Sequence, residues 1–273
     1  KVTGVQTCAL PIFPVAPGGG DNMMSAIGSG ATSSGVVVVS LGTSGTVFTR
    51  TEHPVIDPQG LIAPFCSSDG AWLPLLCVMN LTGVTEEVKA LTGQSHAQLT
   101  ALAEQVPPGC EGLMWLPYLQ GERVPDLPTA TGTLLGMRPG LLRAGHLYRA
   151  ALEGTSLNLA WGVDRMRHLG VQIGEVRLVG GAAKNPLWRQ ILADVLGVPV
   201  VPLVEAESAA LGAAIQAMWS VARATQPALS CDAVAAPFVQ LGAATPPDRE
   251  CTAQMQTAMA AFAAAVRRIY PGC

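Results

Sequence analysis

Residues 36–50 read VVVVSLGTSGTVFTR. The valine run favours extended backbone, because branching at Cβ restricts the side-chain rotamers that a helix would allow. Thr46 to Arg50 resumes that chemistry beyond Leu41-Gly42-Thr43-Ser44-Gly45. The pattern predicts strands over 36–41 and 46–50, joined by the four-residue turn Gly42 to Gly45. Strand-length apolar runs alternate with helical periodicity along the rest of the chain, which is the signature of an α/β protein.

Working outward, residues 13–16 read as a short extended piece turned by Gly18-Gly19-Gly20, and 22–31 as a helix. A second hairpin is expected over 61–67 and 71–76, around Ser68-Asp69-Gly70. Helices follow near 79–92 and 95–105, the second with Ser95 as N-cap. A strand over 112–116 leads into an irregular, Gly- and Pro-rich segment up to Gly145. The helix expected over 146–168 carries Leu147, Ala151, Gly154, Leu157 and Trp161 on one face, a core stripe. A strand over 175–179 ends at Gly180-Gly181, and Pro186 opens the next helix, through Leu196. A short strand over 198–202 precedes a helix over 208–221, whose Leu211-Gly212-Ala213-Ala214 permits close packing. Residues 222–248 read as a surface excursion, and 250–268 as a closing amphipathic helix. There is no internal repeat.

The chain of 273 residues is 49% hydrophobic and 13% charged, the balance of a soluble globular protein with a large core. Every apolar run is interrupted short of the ~18 residues of a membrane span, so no membrane partner is expected. A net charge of -3 leaves no basic stripe for nucleic acid. Seven cysteines without Cys-x-x-Cys spacing argue against a zinc site and a disulfide framework, and favour a reducing cytoplasm. His53, His96, His146 and His168 are too scattered to form a ligand pattern, so no protein-held metal is expected.

Residues 2–12, VTGVQTCALPI, read like the in-frame translation of a sequencing adapter, so 1–12 are set apart from the fold. The competing reading, a secretory signal, would lack an initiating Met and have one charge ahead of its apolar stretch. On the first reading the native frame enters around Phe13, within a longer protein.

Three elements carry chemistry. Gly42 to Gly45 can cradle a phosphate with backbone N–H groups, helped by the Thr43 and Ser44 hydroxyls, although the same residues make a good plain hairpin turn. No Lys follows and no helix starts there, so it is not a P-loop. Asp21, after Gly18-Gly19-Gly20, can cap the helix behind it or serve as a general base, and the two uses are compatible. Gly180-Gly181-Ala182 lets backbone approach a flat ligand, with Asn185 placed either to hydrogen-bond it or to cap the helix at Pro186.

The order and separation of these elements resemble the C-terminal half of the FGGY carbohydrate kinases. Gly132-Thr133-Leu134-Leu135-Gly136-Met137, followed after eight residues by the stretch from His146 to Gly154, is similar to that family's C-terminal signature. Leu116 to Pro125, LPYLQGERVP, resembles the family's xylulokinase branch, and Leu178 to Gly197 is similar to its adenine-site segment. The resemblance runs from about Phe13 to Trp219.

It implies an α/β, actin-like ATPase fold of ribonuclease H-like domains. This chain would supply a remnant of the N-terminal domain over 13–33 and the C-terminal ATP-binding domain over 34–273. It implies Asp21 as the catalytic base, Gly42 and Thr43 on ATP phosphates, and Gly181, Ala182 and Asn185 around the adenine, with Mg2+ bridging phosphates. The implied partners are a sugar substrate, D-xylulose or a related polyol, the missing N-terminal domain, and a second copy in a homodimer. Glu122 and Arg123 are expected to form a structural ion pair. The family's Asp-x-Gly-Thr loop is absent, so the chain is expected to be inactive alone and prone to aggregate. Ala182-Ala183 replaces the commoner Gly-Ala, a change that leaves nucleotide binding plausible. Ribulokinase, gluconokinase and glycerol kinase would share these motifs, and a non-catalytic nucleotide-binding module or inert product is the alternative of another class.

Overall fold

The computed structural model describes residues 14–204 and 207–271. The adapter-like residues 1–12, and Phe13 at the start of the expected extended piece, lie outside the described residues. Residues 14–20 carry no regular secondary structure and lead directly into α1 (Asp21–Gly28). That helix stops short of Ala31, with Ser29 as C-cap and Gly30 at φ +68° turning the chain.

The hairpin forms as β1 (Gly35–Leu41) and β2 (Gly45–Thr49), but its register sets Leu41 opposite Gly45, so the turn is Gly42-Thr43-Ser44. Gly45 belongs to the ladder because it has no side chain: a Cβ there would sit 2.8 Å from Leu81 Cδ2. The second hairpin, β3 (Ala63–Cys66) and β4 (Trp72–Val78), adds on the far side of β2. β5 (Met114–Leu116) pairs in a separate ribbon with β6 (Thr133–Leu135), a strand inside the segment read as irregular. β7 (Ile173–Val179) and β8 (Val200–Pro202) extend the main sheet in parallel beyond β1, giving the order β3-β4-β2-β1-β7-β8.

Val37, Val38 and Val39 are buried on both faces of a central strand, with Val36 half-buried at its start, the burial that such continuous apolar runs suit. Val37, Val39 and Leu41 join the core beneath α2 (Thr82–Thr92), α3 (His96–Ala103), α4 (Ala144–His168) and α5 (Pro186–Leu196). Val38 faces the other way, towards α1, while α6 (Ser208–Ala222) and α7 (Cys231–Ala235) pack with α1 in an adjoining cluster. α8 (Arg249–Ile269) closes against α4 and α5.

Three further expectations change. The stripe on α4 is wider than one face, since the helix is buried all round from Leu147 to Ala160. α2 begins at Thr82, not Met79: Glu122 holds Met79 and Asn80 in the turn after β4 through their backbone N–H groups, and Leu81 sits at φ −134°, ψ −101°, outside the helical range. The excursion over 222–248 is partly core: Cys231 and Ala235 are buried, and Thr245 and Leu241 bridge to Val200 and Leu203 beside the sheet.

Candidate functional site

The register fixes where the loops meet. β1 and β7 run parallel with Ser40 beside Val179, so the turn after β1 and the glycines after β7 leave the same edge of the sheet. β4 ends there too, with Val78 opposite Gly45. Carbonyl ends of parallel strands in open α/β sheets leave crevices of this kind.

Gly42 and Thr43 are held from behind: Leu81 N–H donates to the Thr43 carbonyl and Thr82 N–H to that of Gly42, both at 3.1 Å. The turn is thereby fixed against the positive end of α2. Gly180 sits at φ +94°, where a Cβ would lie 2.5 Å from the Leu41 carbonyl oxygen, so only glycine allows β7 to turn against the end of β1. Gly181 beyond it faces open space. Between these loops and α2, α3 and α4 lies a cleft of about 760 Å³, of a size suited to a cofactor or nucleotide. Gly42, Thr43, Gly181, Ala182 and Asn185, all picked out by sequence, line it together.

Asn185 does two things at once. Its Oδ1 accepts from Trp188 N–H at 3.2 Å as the N-cap of α5, and its Nδ2 donates to Thr100 Oγ1 at 3.0 Å. Across the cleft, Tyr148 OH is 2.9 Å from His96 Nδ1, and His96 Nε2 is 2.7 Å from Glu86 Oε1. Burial pushes the Tyr148 hydroxyl's pKa up, against hydrogen bonding from Thr100 and Asn185. Hydrogen bonds from Lys89 first, and from His96, hold the Glu86 carboxyl below its ordinary range.

Glu86, His96, Thr100, Tyr148 and Lys184 also line the cleft, and the sequence reading had assigned none of them to it. They come mostly from three helices and form no local motif. The one signal was Ser95, which makes a capping box with Gln98 and so sets His96 as the first residue of α3.

Asp21 lies outside the cleft lining. The N-cap of α1 is Gly20, and among the described residues the exposed Asp21 carboxylate accepts only from its neighbour Asn22, from the backbone N–H at 2.8 Å and the side-chain amide at 3.4 Å, so the capping role falls away. Thr46 Oγ1 donates to Asn22 Oδ1 at 3.2 Å, one residue past Gly45, so Asp21 stands at the same sheet edge on the opposite side of the Gly42–Ser44 turn.

Glu122 and Arg123 do not pair. The Glu122 carboxylate is buried and accepts from the backbone N–H groups of Met79 (2.6 Å), Arg123 (2.8 Å) and Asn80 (3.4 Å) and from the amides of Asn80 (3.1 Å) and Asn158 (3.2 Å). Those donors satisfy the carboxylate and clamp the β4–α2 turn, leaving the Arg123 side chain at the surface. Among the described residues no group of three or more His, Cys, Asp or Glu is arranged to hold a metal ion.

Residues 37–221 match the C-terminal domain of the FGGY family of carbohydrate kinases. The chain belongs to that family. An FGGY relative named xylulose kinase, from Haemophilus influenzae, is 45% identical over 206 residues, covering 76% of this chain and 42% of the relative. A gluconokinase from Bacillus licheniformis is 29% identical, over 78% of this chain and 44% of its own length. The crystal structure of xylulose kinase from Rhodospirillum rubrum superimposes with a TM-score of 0.82 at 29% identity, over 93% of this chain and 51% of that one. The chain therefore spans less than half of the curated FGGY relatives it matches, and its sheet and helices are those of their actin-like, ribonuclease H-like C-terminal domain. Among the described residues no helix is long and apolar enough to cross a membrane.

Proposed function

We propose that this chain forms the ATP-binding wall of a cytoplasmic carbohydrate kinase that phosphorylates a pentulose, D-xylulose to D-xylulose 5-phosphate before others. The observation that carries the reading is the convergence of Gly42, Thr43, Gly181, Ala182 and Asn185 on one cleft. In it, Gly42 and Thr43 hold phosphates through backbone N–H and hydroxyl groups, while Gly181 and Ala182 lie flat against the adenine and Asn185 hydrogen-bonds its edge. Asp21, across the turn, takes the proton from the sugar hydroxyl that attacks the γ-phosphate. Magnesium would enter with the nucleotide beside Gly42 and Thr43 and would supply neutralisation of phosphate charge. The chain's contribution is positioning, with the nucleotide on one side of the Gly42–Ser44 turn and the base on the other.

Residues 13–33 belong in this reading to a preceding domain that supplies the other wall and most sugar contacts, and 34–273 form the ATP-binding domain. The chain alone is then inactive, and the full-length protein works as a monomer or homodimer. The likeness to a gluconokinase keeps a six-carbon acid as the second substrate to test. The test is a kinase assay of the protein extended upstream of Phe13, with D-xylulose and gluconate, with and without Asp21→Ala. Turnover that falls ~10²–10⁴-fold in Asp21→Ala supports the base. Equal rates, or turnover of a pentulose by the 273-residue chain, overturn the assignment or the half-site reading respectively.

A further inference from the structure

Nothing in Gly42-Thr43-Ser44 itself fixes the peptide planes of the turn, since a glycine-led turn admits several conformations. The planes are set from behind. The Gly42 carbonyl accepts from Thr82 N–H and the Thr43 carbonyl from Leu81 N–H, both at 3.1 Å. In a trans peptide the carbonyl and the following N–H point in opposite directions, so the N–H groups of Thr43 and Ser44 are turned away from Leu81 and Thr82. Outward-turned N–H groups of a glycine turn are the donors that a phosphate needs. Leu81 is fully buried, with Cδ2 2.8 Å from where a Cβ on Gly45 would stand, so it packs against the end of the turn as well.

Leu81 and Thr82 are placed in their turn by residues outside the cleft lining. They follow Met79 and Asn80, whose N–H groups both end on the Glu122 carboxylate, at 2.6 and 3.4 Å. The Asn80 side chain adds three bonds: Nδ2 donates to the same carboxylate at 3.1 Å and to the Gly121 carbonyl at 2.5 Å, and Oδ1 accepts from Gln120 N–H at 3.3 Å. Glu122 is itself anchored. Its N–H and carbonyl pair with Leu127 at 2.8 and 2.9 Å, and Asn158 on α4 donates to its carboxylate at 3.2 Å. Gly121 before it sits at φ +70°, where a Cβ would lie 2.4 Å from the Pro128 carbonyl oxygen. The LPYLQGERVP stretch therefore reaches the phosphate turn through four consecutive residues, 79–82.

We propose that Glu122 and Asn80 are positioning residues for phosphate: by fixing the turn after β4 they set Leu81 and Thr82, and through them the direction of the Thr43 and Ser44 N–H groups. A carboxylate suits the task because both of its oxygens only accept, and five donors converge on it. An amide in its place turns one of those atoms into a donor facing other donors. The turn after β4 must then shift to find acceptors, and the peptide planes of Gly42 and Thr43 shift with it.

The inference rests on the phosphate role proposed for Gly42 and Thr43. Calorimetric titration of the 273-residue chain with adenosine, and with ADP plus magnesium, separates the two, because adenosine has no phosphate. Wild type is expected to bind ADP roughly tenfold or more tightly than adenosine, the scale of one charge-assisted hydrogen bond. In Glu122→Gln that ratio is expected to fall roughly fivefold or more, with adenosine affinity unchanged. A merely structural role lowers both affinities together or neither, so an unchanged ratio overturns the proposal. If Glu122→Gln does not fold, Asn80→Ala carries the same expectation. If neither folds, amide exchange of the wild type decides: ADP is expected to slow exchange over residues 79–82 and adenosine is not, and equal effects of the two overturn the proposal. A wild-type preference for ADP that the variants keep refutes this inference alone. Equal wild-type affinities remove the phosphate role of the turn and this inference with it, and binding of neither ligand removes the nucleotide cleft itself.

Discussion

Gly28 on α1 and Gly212 on α6 back onto each other where the two helices cross. A Cβ on Gly212 would collide with the Met24 carbonyl oxygen and lie 2.8 Å from the Gly28 amide nitrogen, and one on Gly28 would collide with the Ser208 carbonyl. The contact, reinforced by Ser25 Oγ and Ser208 Oγ at 2.7 Å, holds α1 and so fixes Asp21 at its first turn. Both obstacles are backbone, so no side chain can swing away. Gly212→Ala is expected to destabilise the protein by ~1–3 kcal/mol through overpacking, seen as a lower thermal midpoint. Ala213→Gln, one residue along at an exposed position and still a good helix former, is the control and should move the midpoint far less.

Asn185 separates capping from ligand reading. Asn185→Asp keeps an acceptor for Trp188 N–H at the start of α5 but removes the amide donor to Thr100. Its thermal midpoint should stay close to the wild type, because Asp caps as well as Asn, while ADP affinity falls about tenfold or more, the scale of one lost hydrogen bond to a reader group. Asn185→Ala should lose both, with ~0.5–2 kcal/mol of stability gone with the cap. Equal ADP binding by wild type and Asn185→Asp would remove Asn185 from the site.

Glu122 is a buried carboxylate with five donors and no cation. Burial drives its pKa above the ordinary 4.5 although the backbone N–H of Met79 and its other donors pull the opposite way. A raised folded pKa means that the folded state binds the extra proton, so this group's contribution to stability declines as pH rises upward from 4.5. Glu122→Gln should flatten that slope in urea melts taken between pH 4.5 and 7. The variant should also cost ~1–3 kcal/mol at pH 7, because an amide nitrogen would face the Asn80 or Asn158 donors.

Asp57 behaves in the opposite sense. Its buried carboxylate accepts from the Arg165 guanidinium and from the backbone N–H groups of Gln59 (3.0 Å), Leu61 (3.1 Å) and Ile62 (3.2 Å), tying the loop before β3 to the end of α4. Arg165 foremost holds its pKa below 3.8, so the stabilisation is complete above that value and drains away as pH falls through the lowered one. Wild type should lose stability below about pH 4 more steeply than Asp57→Asn, read from thermal midpoints at pH 3 to 6. Parallel curves would show that the pair adds no pH-dependent stability.

The valine run, the glycine turns, Ser95 and Pro186 acted through chain neighbours alone, so the hairpins, the α3 cap and the start of α5 were legible in the sequence. The same holds for the glycine and hydroxyl residues of the cleft, whose chemistry is carried by a few consecutive positions. Reading became unreliable where a distant group competed for the backbone. Glu122 clamps Met79 and Asn80 into the turn after β4, and with Leu81 outside the helical range α2 starts three residues later than expected. Met114 to Leu116 recruited Thr133 to Leu135 as a partner strand from seventeen or more residues away.

What the sequence by itself determined was therefore the succession of elements, the family, and five of the residues that line the cleft, since short-range periodicity and turn chemistry are written in adjacent positions. The tertiary structure alone decided that Asp21 stands across the Gly42–Ser44 turn from that cleft, that Glu122 is a buried acid held by amide donors, and that Tyr148, His96 and Glu86 are hydrogen-bonded in series on the wall where Asn185 meets Thr100. Those facts depend on which face of each helix meets which edge of the sheet. That choice is made by packing between residues far apart in the chain, as at Gly28 and Gly212, and no local pattern encodes it.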